Sequence, residues 1–184
     1  LSMTHEGVRA ATKKALVLAK EAGALISFDP NLRPPLWRSL EDAKQQVLSG
    51  LKYCDILKIS DNEIQWLTGK KDYTEGILWI KERFDISLIL VSMGREGSRA
   101  YYQEKMVEVK PFIQKNTIET TGAGDTFCGC VLHYICDHGL DHLSEENLSE
   151  MLTFANAAAA LITTKKGALR VMPSVEEICS LVSK

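Results

Sequence analysis

The residues most able to do chemistry stand together in Thr120-Thr121-Gly122-Ala123-Gly124-Asp125-Thr126-Phe127. Two glycines bracket an alanine, a carboxylate follows at once, and the run 127–136 behind it is apolar almost all round. Such a run predicts a buried helix. The glycine turn then feeds directly into a helix N-terminus, where unpaired backbone N–H groups and the helix dipole favour an anion. Residues without bulk let the backbone close on that anion, which makes the amides of Gly122, Ala123 and Gly124 candidates for a phosphate nest. A carboxylate in such a nest repels phosphate. Asp125 makes sense there if it takes a proton from an alcohol that attacks the held phosphorus. The plainer alternative is that Asp125 caps the helix.

Those residues need a scaffold, and the apolar periodicity outlines one. Val8, Ala11, Ala15, Leu18 and Ala22 recur at helical spacing and stop at Gly23. Leu40, Ala43, Val47 and Leu51 mark a second helix; Ile64 and Leu67, with Gly69 behind them, mark a short one. Further helices are expected over 77–84 and 148–163, the latter with the alanine run Ala157 to Ala160, and a final one through Val175, Ile178, Cys179 and Val182. Between them, short apolar runs at 24–28, 55–59 and 87–92 read as buried parallel strands. Segments 99–102 and 106–109 read as a hairpin turning at Gln103-Glu104-Lys105. Strands alternating with helices predict the α/β class, a three-layer α/β/α with a mostly parallel sheet.

In an open sheet of this kind, polar groups past the carboxyl ends of the strands face the ligand crevice. Asp29, Asn31 and Arg33 follow the first strand, Ser60 to Glu63 the second, and Ser92 and Gly94 the third. Each also has a structural reading. Asp29 and Asn31 suit turns, Glu63 is favourable in the first turn of a helix, and Met93-Gly94 suits a turn into the next strand.

Composition narrows the classes. The chain has 184 residues, 45% of them hydrophobic, with net charge −2 and a pI of about 6.1. That is enough for a real core, and it gives no basic surface for nucleic acid. No apolar run approaches the roughly 20 residues of a membrane span. The five cysteines are odd in number and lack a zinc-site spacing, so they read as reduced thiols in a cytoplasmic protein. His133 is expected to pack within its helix, and His138 and His142 to lie at the surface. The P-loop pattern Gly-x4-Gly-Lys-Ser/Thr is absent. No Gly-x-Gly-x-x-Gly follows the first strand, which argues against a nicotinamide dehydrogenase.

The segment 120–127 resembles the C-terminal signature of the ribokinase-like (PfkB) carbohydrate kinases. Phe28-Asp29-Pro30-Asn31-Leu32-Arg33-Pro34 resembles the corresponding segment of fructokinases and 2-keto-3-deoxygluconate kinases. The resemblance implies transfer of the γ-phosphoryl group of ATP to a sugar hydroxyl. It makes Asp125 the general base and the amides of Gly122, Ala123 and Gly124 the anion hole. It places Ser92, Gly94, Asn156 and Thr121 at the nucleotide, and Arg33, Asn31 and Asp29 at the acceptor sugar. Glu63 matches the glutamate of an Asn-x-x-Glu motif that helps to hold Mg2+ through water, with Ser60 in place of the asparagine. Glu119 stands where the family usually has an aspartate near a K+-type cation. The implied cofactors are ATP, Mg2+ and K+, the implied partners are a sugar and ATP, and the full-length protein is implied to be a homodimer. Residues 1–184 would form the C-terminal nucleotide-binding portion of a single ribokinase-like domain, without the N-terminal part and lid, and inactive alone. The alternative is a catalytically incompetent nucleotide-binding or regulatory fragment of such a kinase.

Overall fold

Buried aliphatic strands and helices, several of them capped by a side chain at the N-terminus, build the fold seen in a computed structural model that describes residues 2–183. It divides into two units, with the boundary between Leu90 and Val91. The first unit contains α1 (Glu6–Glu21), β1 (Ser27–Phe28), α2 (Leu40–Leu51), β2 (Ile56–Ser60), α3 (Asp61–Thr68), α4 (Tyr73–Lys81) and the start of β3 (Leu88–Ser92). β1 pairs with β2 in parallel, Ser27 opposite Ile56 and Phe28 opposite Leu57. β3 is next in order. Leu57 and Ile59 of β2, Ile64 and Leu67 of α3, Ile80 of α4 and Leu88 to Leu90 of β3 are wholly buried. At about 25 cal/mol per Å2 of apolar surface, a core of this kind supplies the main force holding the loops between these elements in place.

The second unit carries the end of β3, then β4 (Ser98–Tyr102) and β5 (Lys105–Val109), followed by α5 (Ala123–His138), α6 (Glu145–Ile162) and α7 (Val175–Val182). β4 and β5 pair antiparallel, from Ser98 opposite Val109 to Tyr102 opposite Lys105. The α/β class is as the sequence implies, and the five-stranded sheet is mixed, with its antiparallel pair in the hairpin. Ala157 and Ala158 of α6 are fully buried with Ile178 of α7 against them. Residues this small allow α6 and α7 to approach closely.

Several elements depart from the sequence expectation. β1 is confined to two residues, because Ala24 and Leu25 are exposed and only Ile26 reaches the core. α4 begins at Tyr73, not Ile77, because the Asp72 carboxylate accepts the Glu75 N–H at 2.9 Å and caps the helix there. α5 is not buried all round. Its buried side chains are Thr126, Phe127, Val131 and Ile135, a single stripe at helical spacing, while Cys136 is exposed and Cys128 and Cys130 are half-buried. His133 does not pack within that helix: it is exposed and lies 3.0 Å from Asp137 one turn on, as a polar outer face requires. The apolar stripe on α1 is uncovered among the described residues, with no buried side chain and Val8 and Leu18 half exposed.

Candidate functional site

Gly122 turns the chain into α5. Its φ of +80° is left-handed, a conformation that costs other residues a Cβ clash, and it serves as N-cap without any side-chain cap bond. Ala123, Gly124 and Asp125 are then the first three helical residues. The Ala123 N–H donates back to the Thr120 carbonyl at 3.2 Å, and the Thr126 N–H closes the first helical turn on the Gly122 carbonyl at 2.8 Å. Helix geometry leaves the Gly124 and Asp125 amides without an intrahelical acceptor. They are the donors best placed for an anion. The Asp125 side chain is exposed, and among the described residues it has no hydrogen-bond partner. It is not the cap of α5, since Gly122 holds that place.

Beside this helix start lies a cavity of about 320 Å3, wholly within the second unit. Four segments shape it. Ser92, Gly94 and Gly97 come from the β3–β4 corner, Pro111 to Ile113 from the exit of β5, Ala123, Gly124 and Phe127 from the start of α5, and Asn156, Ala159, Ala160 and Thr163 from α6. The four alanines of the 157–160 run therefore divide their work: Ala157 and Ala158 face the core, while Ala159 and Ala160 line the cavity. Gly97 is needed at the corner because a Cβ there would meet the Val109 carbonyl. A mostly apolar slot with a few fixed polar groups suits a planar base.

Three of the residues expected at the nucleotide, Ser92, Gly94 and Asn156, line this cavity. Thr120 lines it, while Thr121 beside it is exposed. Asn156 is 8% exposed, and its Nδ2 donates to the Val109 and Lys110 carbonyls, both at 3.2 Å. Two carbonyl acceptors fix which end of the amide is the nitrogen. The side chain thus ties α6 to the strand exit that supplies Pro111 and Phe112. Arg95, Phe112 and Thr163 are lining residues that pattern reading missed. Phe112 sits in a loop without periodicity, and nothing in its immediate sequence marks it.

The residues expected at the acceptor lie in the first unit, in the loop after β1. Asp29 Oδ2 is 3.0 Å from Lys58 Nζ, and Oδ1 accepts the Asn31 N–H at 3.0 Å. Asn31 has a φ of +43°. Burial pushes the Asp29 carboxyl above its usual range, a shift that Lys58 opposes. Arg33 is exposed, with Nη1 donating to the neighbouring Leu32 carbonyl at 3.0 Å. Lys58 belongs to no motif in the sequence; what marks it is its place inside the apolar strand β2.

The two carboxylates expected near cations are turned to the chain's own donors. Glu63 is buried. Its Oε1 accepts the Leu32 N–H at 2.7 Å, and Oε2 accepts the Ser60 N–H at 2.9 Å and the Ser60 hydroxyl at 2.8 Å. It forms a capping box with Ser60, the N-cap of α3. Glu119 Oε1 accepts the Gly167 N–H at 2.6 Å, and the Thr163 carbonyl accepts both the Ile118 and Glu119 amides. Among the described residues no group of three or more His, Cys, Asp or Glu could hold a metal ion. With both oxygens of Glu63 and one of Glu119 bonded to the chain's own donors, a cation here would be held through water and substrate oxygens, as Mg2+ commonly is.

Fold and cavity together define an α/β protein whose helix start is open to an anion at the edge of an apolar slot. The family model for pfkB family carbohydrate kinases matches residues 3–175, and the chain belongs to that family. It is 43% identical over 185 residues to the probable fructokinase-2 of Arabidopsis thaliana, an alignment covering 99% of this chain and 55% of that relative. To the putative fructokinase-8 of Arabidopsis thaliana it is 41% identical over 187 residues, covering all of this chain and 87% of the relative. A double-mutant fructokinase from Vibrio cholerae, solved with fructose, ADP and potassium ion, superimposes with a TM-score of 0.88 at 29% identity, over 98% of this chain and 57% of that one. The chain thus spans little more than half the length of the first of these relatives and of the solved structure.

Proposed function

We propose that these residues are the nucleotide-binding portion, with part of the acceptor site, of an ATP-dependent sugar kinase of the fructokinase kind. The observation that carries the reading is the start of α5. It combines a left-handed Gly122, first-turn amides without intrahelical acceptors and an Asp125 carboxylate that has no partner among the described residues, beside a cavity of base size. In this reading the adenine enters the slot between Asn156, Ala160 and Phe112, and the terminal phosphates meet the amides at the helix start. Asp125 accepts the proton of the sugar hydroxyl as its oxygen attacks the γ-phosphorus, and ADP leaves. Nothing covalent is asked of the protein, so the rate comes from alignment and charge. Arg33 is the residue of the 29–33 loop free to meet the sugar, since Asp29 is engaged with Lys58.

Mg2+ keeps several waters and is held by few carboxylates together with substrate phosphates. When bound, it would neutralise charge on those phosphates. The relatives called fructokinase, and the fructose in the Vibrio cholerae structure, favour a ketohexose acceptor.

The test is ADP release by the complete natural chain containing these residues, with ATP, Mg2+ and a panel of hexoses, pentoses and ketodeoxy sugar acids. Fructose-dependent ADP release well above the sugar-free rate supports the reading. Tight ATP binding without turnover of any sugar overturns it in favour of a non-catalytic nucleotide-binding role.

A further inference from the structure

Strand β2 reads Ile56-Leu57-Lys58-Ile59-Ser60, and every residue from Ile56 to Ile59 is buried. A lysine in that run is costly. Removing an ammonium group from water is unfavourable unless a partner compensates it, and an aliphatic residue in its place is often neutral or stabilising. Stability alone therefore does not account for Lys58. The register accounts for where its partner comes from. Phe28 stands opposite Leu57, so the next pair along the strands is Asp29 and Lys58. The contact is made at 3.0 Å, with the two side chains 18% and 8% exposed.

The same loop is held a second time. Three residues past Asp29, the Leu32 N–H donates to Glu63, whose other oxygen is fixed by the backbone and hydroxyl of Ser60. Between these two anchors Asn31 adopts a left-handed backbone, and its amide closes on Asp29. Three charges, two buried and one partly buried, thus fix one five-residue loop from two sides, and its last residue is the exposed Arg33.

We propose that Lys58 and Glu63 are positioning residues for the acceptor: Lys58 through Asp29, and Glu63 through the Leu32 amide, set the conformation of loop 29–33 from which Arg33 meets the sugar. This rests on the sugar-kinase reading given above. It assigns Glu63 the work of a clamp rather than that of a cation ligand, in keeping with both of its oxygens being used by protein donors.

The experiment is a pair of variants in the complete natural chain. Lys58→Met keeps length and packing while removing the charge. Glu63→Gln turns one of the two oxygens into an N–H donor, which cannot accept from both Leu32 and Ser60. Both variants should raise KM for the acceptor sugar by about tenfold or more, within what a misplaced positioning group costs, and leave KM for ATP nearly unchanged. Amide hydrogen exchange at Asn31 and Leu32 should speed up in both variants, while the β2 and β3 amides keep their protection. Lys58→Arg, which restores a cation to Asp29, should recover most of the sugar KM. If Lys58→Met does not fold, Lys58→Gln, which also removes the charge, takes its place beside Glu63→Gln.

Equal rises in both KM values, or unchanged exchange at Leu32 in Glu63→Gln, would overturn the proposal. So would a Glu63→Gln whose KM for Mg·ATP rises while the sugar KM stays put, since that is the behaviour of a cation-side residue. If the wild-type protein phosphorylates no sugar, the kinase reading fails on its own. The exchange data then still decide whether the loop is clamped as described.

Discussion

Asp125→Asn separates the chemistry of the α5 start from its architecture. Asp125 is the third residue of the helix, exposed, and without a hydrogen-bond partner among the described residues. What the fold loses on removing its charge is only the attraction to the helix dipole, about 0.3–1 kcal/mol. For a protein of this size that corresponds to a fall in Tm of roughly 2–4 °C at most. A lost N-cap would cost up to about 2 kcal/mol, but Gly122 already holds that position. General-base catalysis contributes on the order of 10²–10⁴-fold, equivalent to about 2.7–5.4 kcal/mol of barrier. The expected result is a collapse in turnover, measured by coupled ADP release at saturating sugar, in a protein that melts almost normally. ATP affinity, measured by calorimetric titration, should stay level or tighten, because a negative charge facing the phosphates is gone. Turnover within a few-fold of wild type would refute the base assignment. Weaker ATP binding together with a large stability loss would show Asp125 to be structural.

Two further outcomes follow from the buried contacts. Asn156→Ala leaves the Val109 and Lys110 carbonyls without their donor and should lower the unfolding free energy in urea by about 1–3 kcal/mol. ATP affinity should fall with it, because those carbonyls lead into Pro111 and Phe112 of the cavity; a loss within error would show that the tie is dispensable. Burial pushes the Cys54 thiol up to about 12, whereas Cys136 and Cys179 are exposed. Iodoacetamide at about pH 8, followed by peptide mass mapping, should therefore modify Cys136 and Cys179 in the native protein and Cys54 only after unfolding. Labelling of native Cys54 would contradict its place in the core.

Much of the scaffold was legible because strands and caps are local signals. The short aliphatic runs became β2 and β3, and the glycines at 23, 69 and 122 all punctuate helices at positive φ. The errors came where a local signal was read too generously. The 127–136 run looked apolar all round because three cysteines were counted as core residues. The buried positions Phe127, Val131 and Ile135 follow a four-residue stripe, and that spacing already described a one-sided helix. The apolar periodicity begins at Ile77, but the cap is Asp72, so α4 starts four residues earlier than that periodicity marks. Arg95, Phe112 and Thr163 reach the cavity from three different segments, a juxtaposition that no local pattern encodes. Lys58 is a different case. A cation inside a continuous apolar strand requires a buried partner, and the carboxylate just past the neighbouring parallel strand was the available one.

Glu63 and Glu119 show how a motif can be matched correctly and still leave a residue's work open. Each occupies a position that resemblance assigns to the cation side, and each carries a carboxylate that here accepts backbone N–H groups. For Glu119 the bond reaches across 48 residues of chain to the Gly167 amide at 2.6 Å. For Glu63 the reach is to Leu32, 31 residues back. In both cases the acceptor is a carboxylate at least half-buried, so the bond is shorter and stronger than one to a neutral acceptor, and it holds a loop in place. That fits the energetics of phosphoryl transfer. Little of the barrier is lowered by covalent participation of the protein and most by placing the reactants in line. A carboxylate that fixes the loop beside a substrate can therefore matter to the rate as much as one that touches it.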